Sequence, residues 1–273
     1  MEPLITVHLA SNRPYLWKDL YDNINKFSEN LTFEIIVAGP ESADFKLPIN
    51  FKHIKTKNIK VPQCHEITMR NAQGKMLIFI SDDNRFLEPG GLSNLYREYC
   101  DLCTSKGTDQ FVLVANRQGS GRICDLLFSR AKTDHAPVVG LEGALYNRNL
   151  LSKTNRIDTR FLGVTWDSDL AMRLWESGAK ILKSDKVWLE EYKFAKARLS
   201  PICNHHDIPV LHSLWVRKAE ENEAVPSKDA WCYMQDNKYV VVRQRLKEFM
   251  GYTDDNILIR SQGPKSFKGL QWD

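Results

Sequence analysis

Short apolar runs alternate with stretches of three- and four-residue periodicity through the first half of the chain. Residues 4–10, Leu-Ile-Thr-Val-His-Leu-Ala, read as a short buried strand, and Pro14 then opens a helix. Leu16, Leu20, Ile24 and Phe27 mark one face of that helix. A second strand is predicted over 33–38 and is stopped by Gly39-Pro40, and a short third strand over 51–55. After Pro62 the pattern predicts a helix that ends near Gly74. Residues 76–80, Met-Leu-Ile-Phe-Ile, form a continuous apolar run, as a strand covered on both faces requires. Leu92, Leu95, Tyr96, Tyr99, Leu102 and Cys103 repeat at helical spacing, and 111–115 reads as another strand. Strands separated by helices of this length predict right-handed βαβ units, hence an α/β fold with a mostly parallel, Rossmann-like central sheet flanked by helices.

The second half is less regular. A strand-like stretch begins at Val138-Val139-Gly140 and runs through Tyr146, a helix is predicted over 167–176 and closed by Gly178, and a strand follows over 179–182. The Glu-rich, Pro226-containing segment 218–229 reads as a polar linker. It divides a domain of residues 1–217 from a C-terminal extension, 230–273, in which the apolar run 239–242 merges into a basic helix-like segment, 243–250.

Composition narrows the class without choosing it. The 273 residues are 42% hydrophobic and 26% charged, which excludes a wholly disordered or collagen-like chain. A formal charge of +4 is too small an excess for a nucleic-acid partner and is compatible with an anionic small molecule. The first apolar run is too short to span a bilayer and lacks a basic start, so membrane contact is expected to be peripheral at most. Six cysteines at uneven spacing do not form a disulfide framework, and a reducing, cytoplasmic setting is expected. Cys100 and Cys103 form a CxxC with no second pair to complete a zinc site, and their place beside the helix stripe predicts buried core thiols.

Ligands of open α/β sheets sit beyond the carboxyl ends of the strands. Three constellations fall there. Ser11-Asn12-Arg13-Pro14 follows the first strand, where a helix start with a nearby Arg suits a diphosphate; a plain capped turn is the alternative. Asp82-Asp83 ends the most apolar strand, where adjacent carboxylates repel and need a counter-charge. A divalent cation bridging to phosphate oxygens is one solution, and a solvated acidic turn the other. Trp166-Asp167-Ser168-Asp169 opens a helix, where acidic residues serve as dipole partners or, when suitably placed, as a general base.

The ordered set resembles the family 2-like glycosyltransferases of GT-A fold over roughly residues 4–190. Ile5-Thr-Val-His-Leu-Ala-Ser-Asn-Arg-Pro14 looks like the family's opening strand and nucleotide-contacting turn, and residues 71–83 look like the helix and strand before its DxD metal motif. Gly143-Ala-Leu-Tyr-Asn-Arg-Asn-Leu-Leu151 and the stretch from Ile157-Asp158 to Phe161 look like the acceptor side, and Asp167-Ser-Asp-Leu-Ala-Met-Arg173 resembles the "ED.DL..R" segment. The chain departs from the pattern in three places: Gly39-Pro40, followed by Glu41, replaces the acidic residue after the second strand, Ser81 replaces the first Asp of DxD, and Trp166 replaces the Glu of ED.

The resemblance implies inverting transfer of a sugar from a nucleoside-diphosphate sugar to a glycan, lipid-linked or other hydroxyl acceptor. It implies that Asp83, with Asp82 or Ser81, holds Mn²⁺ or Mg²⁺. His205 or His206, downstream of the base, becomes a further metal or phosphate contact. Asp167 is the implied base; Ala10, Ser11, Asn12, Arg13 and Glu41 line the nucleotide end, and Trp166 stacks on a sugar face. A nucleotidyltransferase shares the metal logic but lacks its Gly-rich loop here, and a non-catalytic sugar-nucleotide or glycan-binding module is favoured by Ser81 and Trp166.

Overall fold

A computed structural model describes residues 2–57, 59–87, 90–119, 122–123, 140–154, 157–192, 201–218 and 239–241. The N-terminal pattern folds as its periodicity predicts. Strand β1 (Ile5–Ala10) is followed by a 3-10 turn opened by Pro14 and by helix α1 (Trp17–Lys26), which buries Trp17, Leu20 and Ile24. Strand β2 (Phe33–Gly39), strand β3 (Phe51–Lys55), helix α2 (Val61–Arg70) and strand β4 (Met76–Phe79) complete the first half-sheet. These strands lie in the order β3-β2-β1-β4, all parallel.

Beyond β4 the sheet is mixed. Strand β5 (Asn84–Phe86), helix α3 (Gly91–Lys106), strands β6 (Phe111–Gly119) and β7 (Arg122–Ile123), and strand β8 (Ala144–Asn147) precede helix α4 (Trp166–Glu176) and strand β9 (Lys180–Glu191). The order continues β4-β8-β6-β9-β5, with β8 antiparallel to both neighbours, β6 parallel to β9, and β7 paired with β6. Helix α5 (Pro201–Trp215) follows, and strand β10 (Val216–Lys218) pairs antiparallel with β11 (Tyr239–Val241). The apolar run 239–242 thus supplies a strand that pairs with residues 216–218. Lys218 ends strand β10. The rest of 219–273, the segment 243–250 and Val138-Val139 lie outside the described residues.

The period of two along each strand divides the core. Leu77 and Phe79 face α2, α4 and α5 with Val112, Val114, Ala144 and Tyr146, whereas Met76 and Ile78 face α1 and α3 with Ile5, Val7, Leu113 and Leu145. Helices therefore cover both faces. The antiparallel β8 is what strand-by-strand reading misses, since alternation reports burial and not direction.

Cys100 and Cys103 are half-buried, with Cys103 packed on the edge of the core, so the expectation of core thiols is corrected. The helix turns both positions toward its flank, with Leu92, Leu95 and Tyr99 taking the buried face. Cys64 is the fully buried thiol, and burial pushes it up to about 12. Among the described residues no helix is long and apolar enough to cross a membrane.

Candidate functional site

The chain leaves β1 toward β2 on one side and returns to β4 on the other, so the strand order reverses between β1 and β4. A crevice opens at such a switch point beyond the strand ends. The turn Ser11-Asn12-Arg13 and the pair Asp82-Asp83 meet there. Ser11 Oγ donates to Asp82 Oδ2 at 2.5 Å and accepts from Arg13 N at 3.0 Å and from Trp17 Nε1 at 2.8 Å. One donor and two acceptor positions are a hydroxyl's full capacity, so Ser11 is a bracket inside the protein and has none left for a nucleotide. Its backbone is what remains for a nucleotide.

Arg13 supplies the counter-charge that the two carboxylates need. Its Nε reaches Asp82 Oδ2 at 3.0 Å, its Nη2 bonds Asp82 Oδ1, and the same nitrogen lies 3.1 Å from Asp83 Oδ2. Arg85 supports the turn from behind, donating to the carbonyls of Asp82 and Asn84 at 2.8 Å each and of Leu16 at 3.2 Å. Ala10 ends β1 and Asn12 stays partly buried in the turn, while Glu41 is exposed on the loop after β2. Gly39 is required beneath them, because a Cβ there would lie 1.7 Å from the Ser11 carbonyl oxygen. No side chain, acidic or otherwise, fits at that position.

A polar relay leads from this pair to the third constellation. Asn84 Nδ2 reaches Asp83 Oδ1 at 3.4 Å and Glu142 Oε1 at 2.7 Å. Arg117 clamps Glu142 Oε2 at 2.5 Å and Glu191 at 2.6 Å. Neither Glu142 nor Arg117 carries a motif. Their only sequence signal is a charge inside or beside an apolar strand-like run.

Next to Glu142, Leu141 N donates to Asp167 Oδ2 at 3.0 Å. Burial and the nearby Glu142 charge push the Asp167 carboxyl up to about 6, while backbone N–H groups at the start of α4 pull the other way. Burial outweighs the pull of the helix start, and the carboxyl is poised near 6. Helix α4 begins after Thr165 at φ 55, a left-handed conformation that is costly for a β-branched residue.

Asp169 plays a different part. Its Oδ2 pairs with Arg173 Nε at 2.9 Å and Nη2 at 2.8 Å, and its Oδ1 accepts from Trp215 Nε1 at 2.9 Å. Asp169 and Arg173 are each 2% exposed, so this carboxylate is a core fastener. Trp166 is also in the core, 3% exposed, its ring 4.3 Å from that of His65 and 5.6 Å from that of Phe79. The expectation that it stacks on a sugar is corrected: at the first position of α4 its indole packs inward against α2 and the central strand β4.

His205 is exposed on α5, and His206 Nδ1 lies 2.7 Å from Asp207 Oδ1. Asp207 spends its carboxylate on the N–H groups of Leu162, Gly163 and Val164, at 3.0, 2.8 and 2.8 Å. Among the described residues no three His, Cys, Asp or Glu side chains converge as a metal site. Asp82 and Asp83 alone still fit Mg²⁺ or Mn²⁺, which take one or two carboxylates when phosphate oxygens complete the shell.

Two buried histidines lie under this region. His8 Nδ1 is 3.5 Å from both His65 Nδ1 and Thr68 Oγ1, and burial lowers His8 to about 3 and His65 well below its usual range. The Nε2 of His8 finds no partner among the described residues.

No family profile matches the sequence, and neither does any curated protein. Solved structures do. S. aureus TarS 1-349 is 17% identical with a TM-score of 0.51, over 70% of this chain and 60% of that one. The same fragment in complex with UDP is 15% identical with a TM-score of 0.53. The mannosyltransferase PcManGT from Pyrobaculum calidifontis, in complex with GDP-Man and Mn²⁺, is 16% identical with a TM-score of 0.55, over 70% of this chain and 57% of that one. The chain therefore spans about 60% of the length of the structures it resembles. The architecture shared with both, a central sheet flanked by helices, is the GT-A fold.

Proposed function

We propose that this protein is a glycosyltransferase that moves a sugar from a nucleoside-diphosphate sugar to an acceptor hydroxyl, with inversion. The observation that carries the reading is the relay from Asp83 through Asn84 to Glu142 and the adjoining Asp167, which puts a poised carboxyl beside a paired-carboxylate turn. The solved structures similar to this chain include complexes with UDP and with GDP-Man and Mn²⁺, which support a nucleotide donor.

Asp83 and Asp82 would hold Mn²⁺ or Mg²⁺, which when bound supplies Lewis-acid stabilisation of the diphosphate leaving group. The chain's own residues do the rest. Arg13 and the backbone of residues 10–12 bind the anionic end of the donor, and Glu41 stands on the rim toward the nucleoside. Asp167 takes the proton from the acceptor oxygen as that oxygen attacks. Its carboxyl, held near 6, is ionised at neutral pH yet basic enough to accept the proton. The second reading is a non-catalytic sugar-nucleotide or glycan-binding module, which Ser81 and Trp166 in the motif positions favour. A cytoplasmic setting belongs to the same reading, consistent with free Cys64, Cys100 and Cys103.

The test is turnover. The protein is incubated with UDP- and GDP-sugars, Mn²⁺ and a panel of hydroxyl acceptors, and nucleotide release is followed. Release from one donor, dependent on acceptor and metal, is expected. No release from any donor overturns the proposal.

A further inference from the structure

Asp82 and Asp83 are 2% and 0% exposed, so solvent does little to screen their mutual repulsion. Protein cations do it instead. The Arg13 fork takes both oxygens of Asp82, the strongest geometry a guanidinium offers a carboxylate, and reaches across to Asp83. Arg85 adds a second guanidinium, buried against the backbone of the same turn. Two carboxylates facing two guanidinium groups leave no net negative charge to draw in a dication. A metal ligated by Asp83 Oδ2 would also stand against Arg13 Nη2, which lies 3.1 Å from that oxygen, and like charges at contact repel.

The two cations differ in what else can hold them. Arg85 is fixed by three backbone carbonyls, including that of Leu16. Arg13 sits on a turn, and its side chain is 13% exposed at the mouth of the crevice. A diphosphate presents a second set of paired oxygens that a guanidinium recognises as well as it does a carboxylate.

We propose that Arg13 is the resident counter-cation of the Asp82–Asp83 pair and exchanges places with the metal, leaving the carboxylates for the donor diphosphate as the metal enters. The proposal rests on the donor-site reading above. It makes metal and nucleotide binding cooperative, because each ligand draws Arg13 away from the state that the other must displace. A metal that binds only the Arg13-open state is weakened by the fraction of protein in that state.

The experiment is a Mn²⁺ titration of nucleotide-free protein, followed by electron paramagnetic resonance or calorimetry. The wild type is expected to bind Mn²⁺ weakly, and Arg13→Gln to bind it about tenfold or more tightly, as removal of that population penalty requires. Added UDP or GDP should tighten Mn²⁺ binding in the wild type and do so much less in Arg13→Gln. Arg13→Lys, which keeps the charge but loses the fork, should fall between them and serves if Arg13→Gln folds poorly. Mn²⁺ alone should raise the melting temperature of the variants and leave that of the wild type unchanged. Equal Mn²⁺ affinity in all three nucleotide-free proteins overturns the exchange and leaves the donor-site reading standing. Failure of both nucleotides to bind any of the proteins in Mn²⁺ overturns the reading and the exchange together.

Discussion

Asp167 and Asp169 are two positions apart on one helix turn, and their surroundings assign them opposite work. Asp167 is only partly buried and carries a raised carboxyl pKa, whereas both oxygens of Asp169 are committed to Arg173 and Trp215. Asp167→Asn is expected to keep donor binding and to lose transfer by roughly 10²–10⁴, the usual contribution of a general base. The rate of the wild type should also fall as pH drops through about 6, where the carboxyl takes up its proton. Asp169→Asn should break a buried ion pair at a cost of about 3–5 kcal/mol while leaving donor affinity near the wild type. Turnover and thermal unfolding of both variants decide the matter. An active Asp167→Asn enzyme, or a fully stable but inactive Asp169→Asn, would reverse the assignment.

At the scale of elements, α5 bears on the site through the loop that enters α4. Its Asp207 is fully buried and gathers three consecutive backbone N–H groups of the loop that enters α4. That loop delivers Thr165 in its left-handed conformation and so sets where Asp167 begins. Asp207→Ala would leave those donors without their acceptor, at about 1–3 kcal/mol for each that finds no water. The expected result is a lower melting temperature and a reduced kcat, with nucleotide affinity unchanged because the β1–β4 crevice lies outside the loop. Loss of nucleotide binding along with kcat would contradict this division. The loop was invisible to local pattern: Asp207 is 45 residues from Leu162 and looks, in sequence, like part of a His-His-Asp ligand run.

At the scale of the molecule, the buried histidine pair makes stability depend on acid. His8 and His65 have folded-state values far below the 6.5 of an unfolded chain, so unfolding takes up a proton at each once pH is below that figure. Their stabilising contribution is complete above 6.5 and is lost progressively as pH falls below it, for His8 at about 1.4 kcal/mol per pH unit toward 3. Asp167 has the opposite sign. Its folded value is above its unfolded 3.8, so between about 6 and 3.8 it offsets one of the two histidines. The melting temperature should therefore fall on acidification from pH 6.5, and His8→Leu, which removes a ring nitrogen without a partner among the described residues, should flatten that slope by one proton. A His8→Leu profile parallel to that of the wild type would refute the assignment.

What the sequence determined by itself is what short range decides. The apolar runs of β1, β2 and β4, the helical stripe of Leu16, Leu20, Ile24 and Phe27, and the place of Asp82-Asp83 at a strand end all follow from local periodicity and chain stiffness. The acidic pair also announced that a counter-charge was needed, because two adjacent carboxylates repel whatever the fold. Its identity was a matter of tertiary structure. Arg13 is 69 residues from Asp82, and only the parallel pairing of β1 with β4 brings their ends together. The direction of β8, the inward turn of Trp166 and the clamp of Arg117 on Glu142 were settled the same way. Periodicity tells which residues are buried, whereas charge pairing and strand direction depend on which distant segments the sheet makes neighbours.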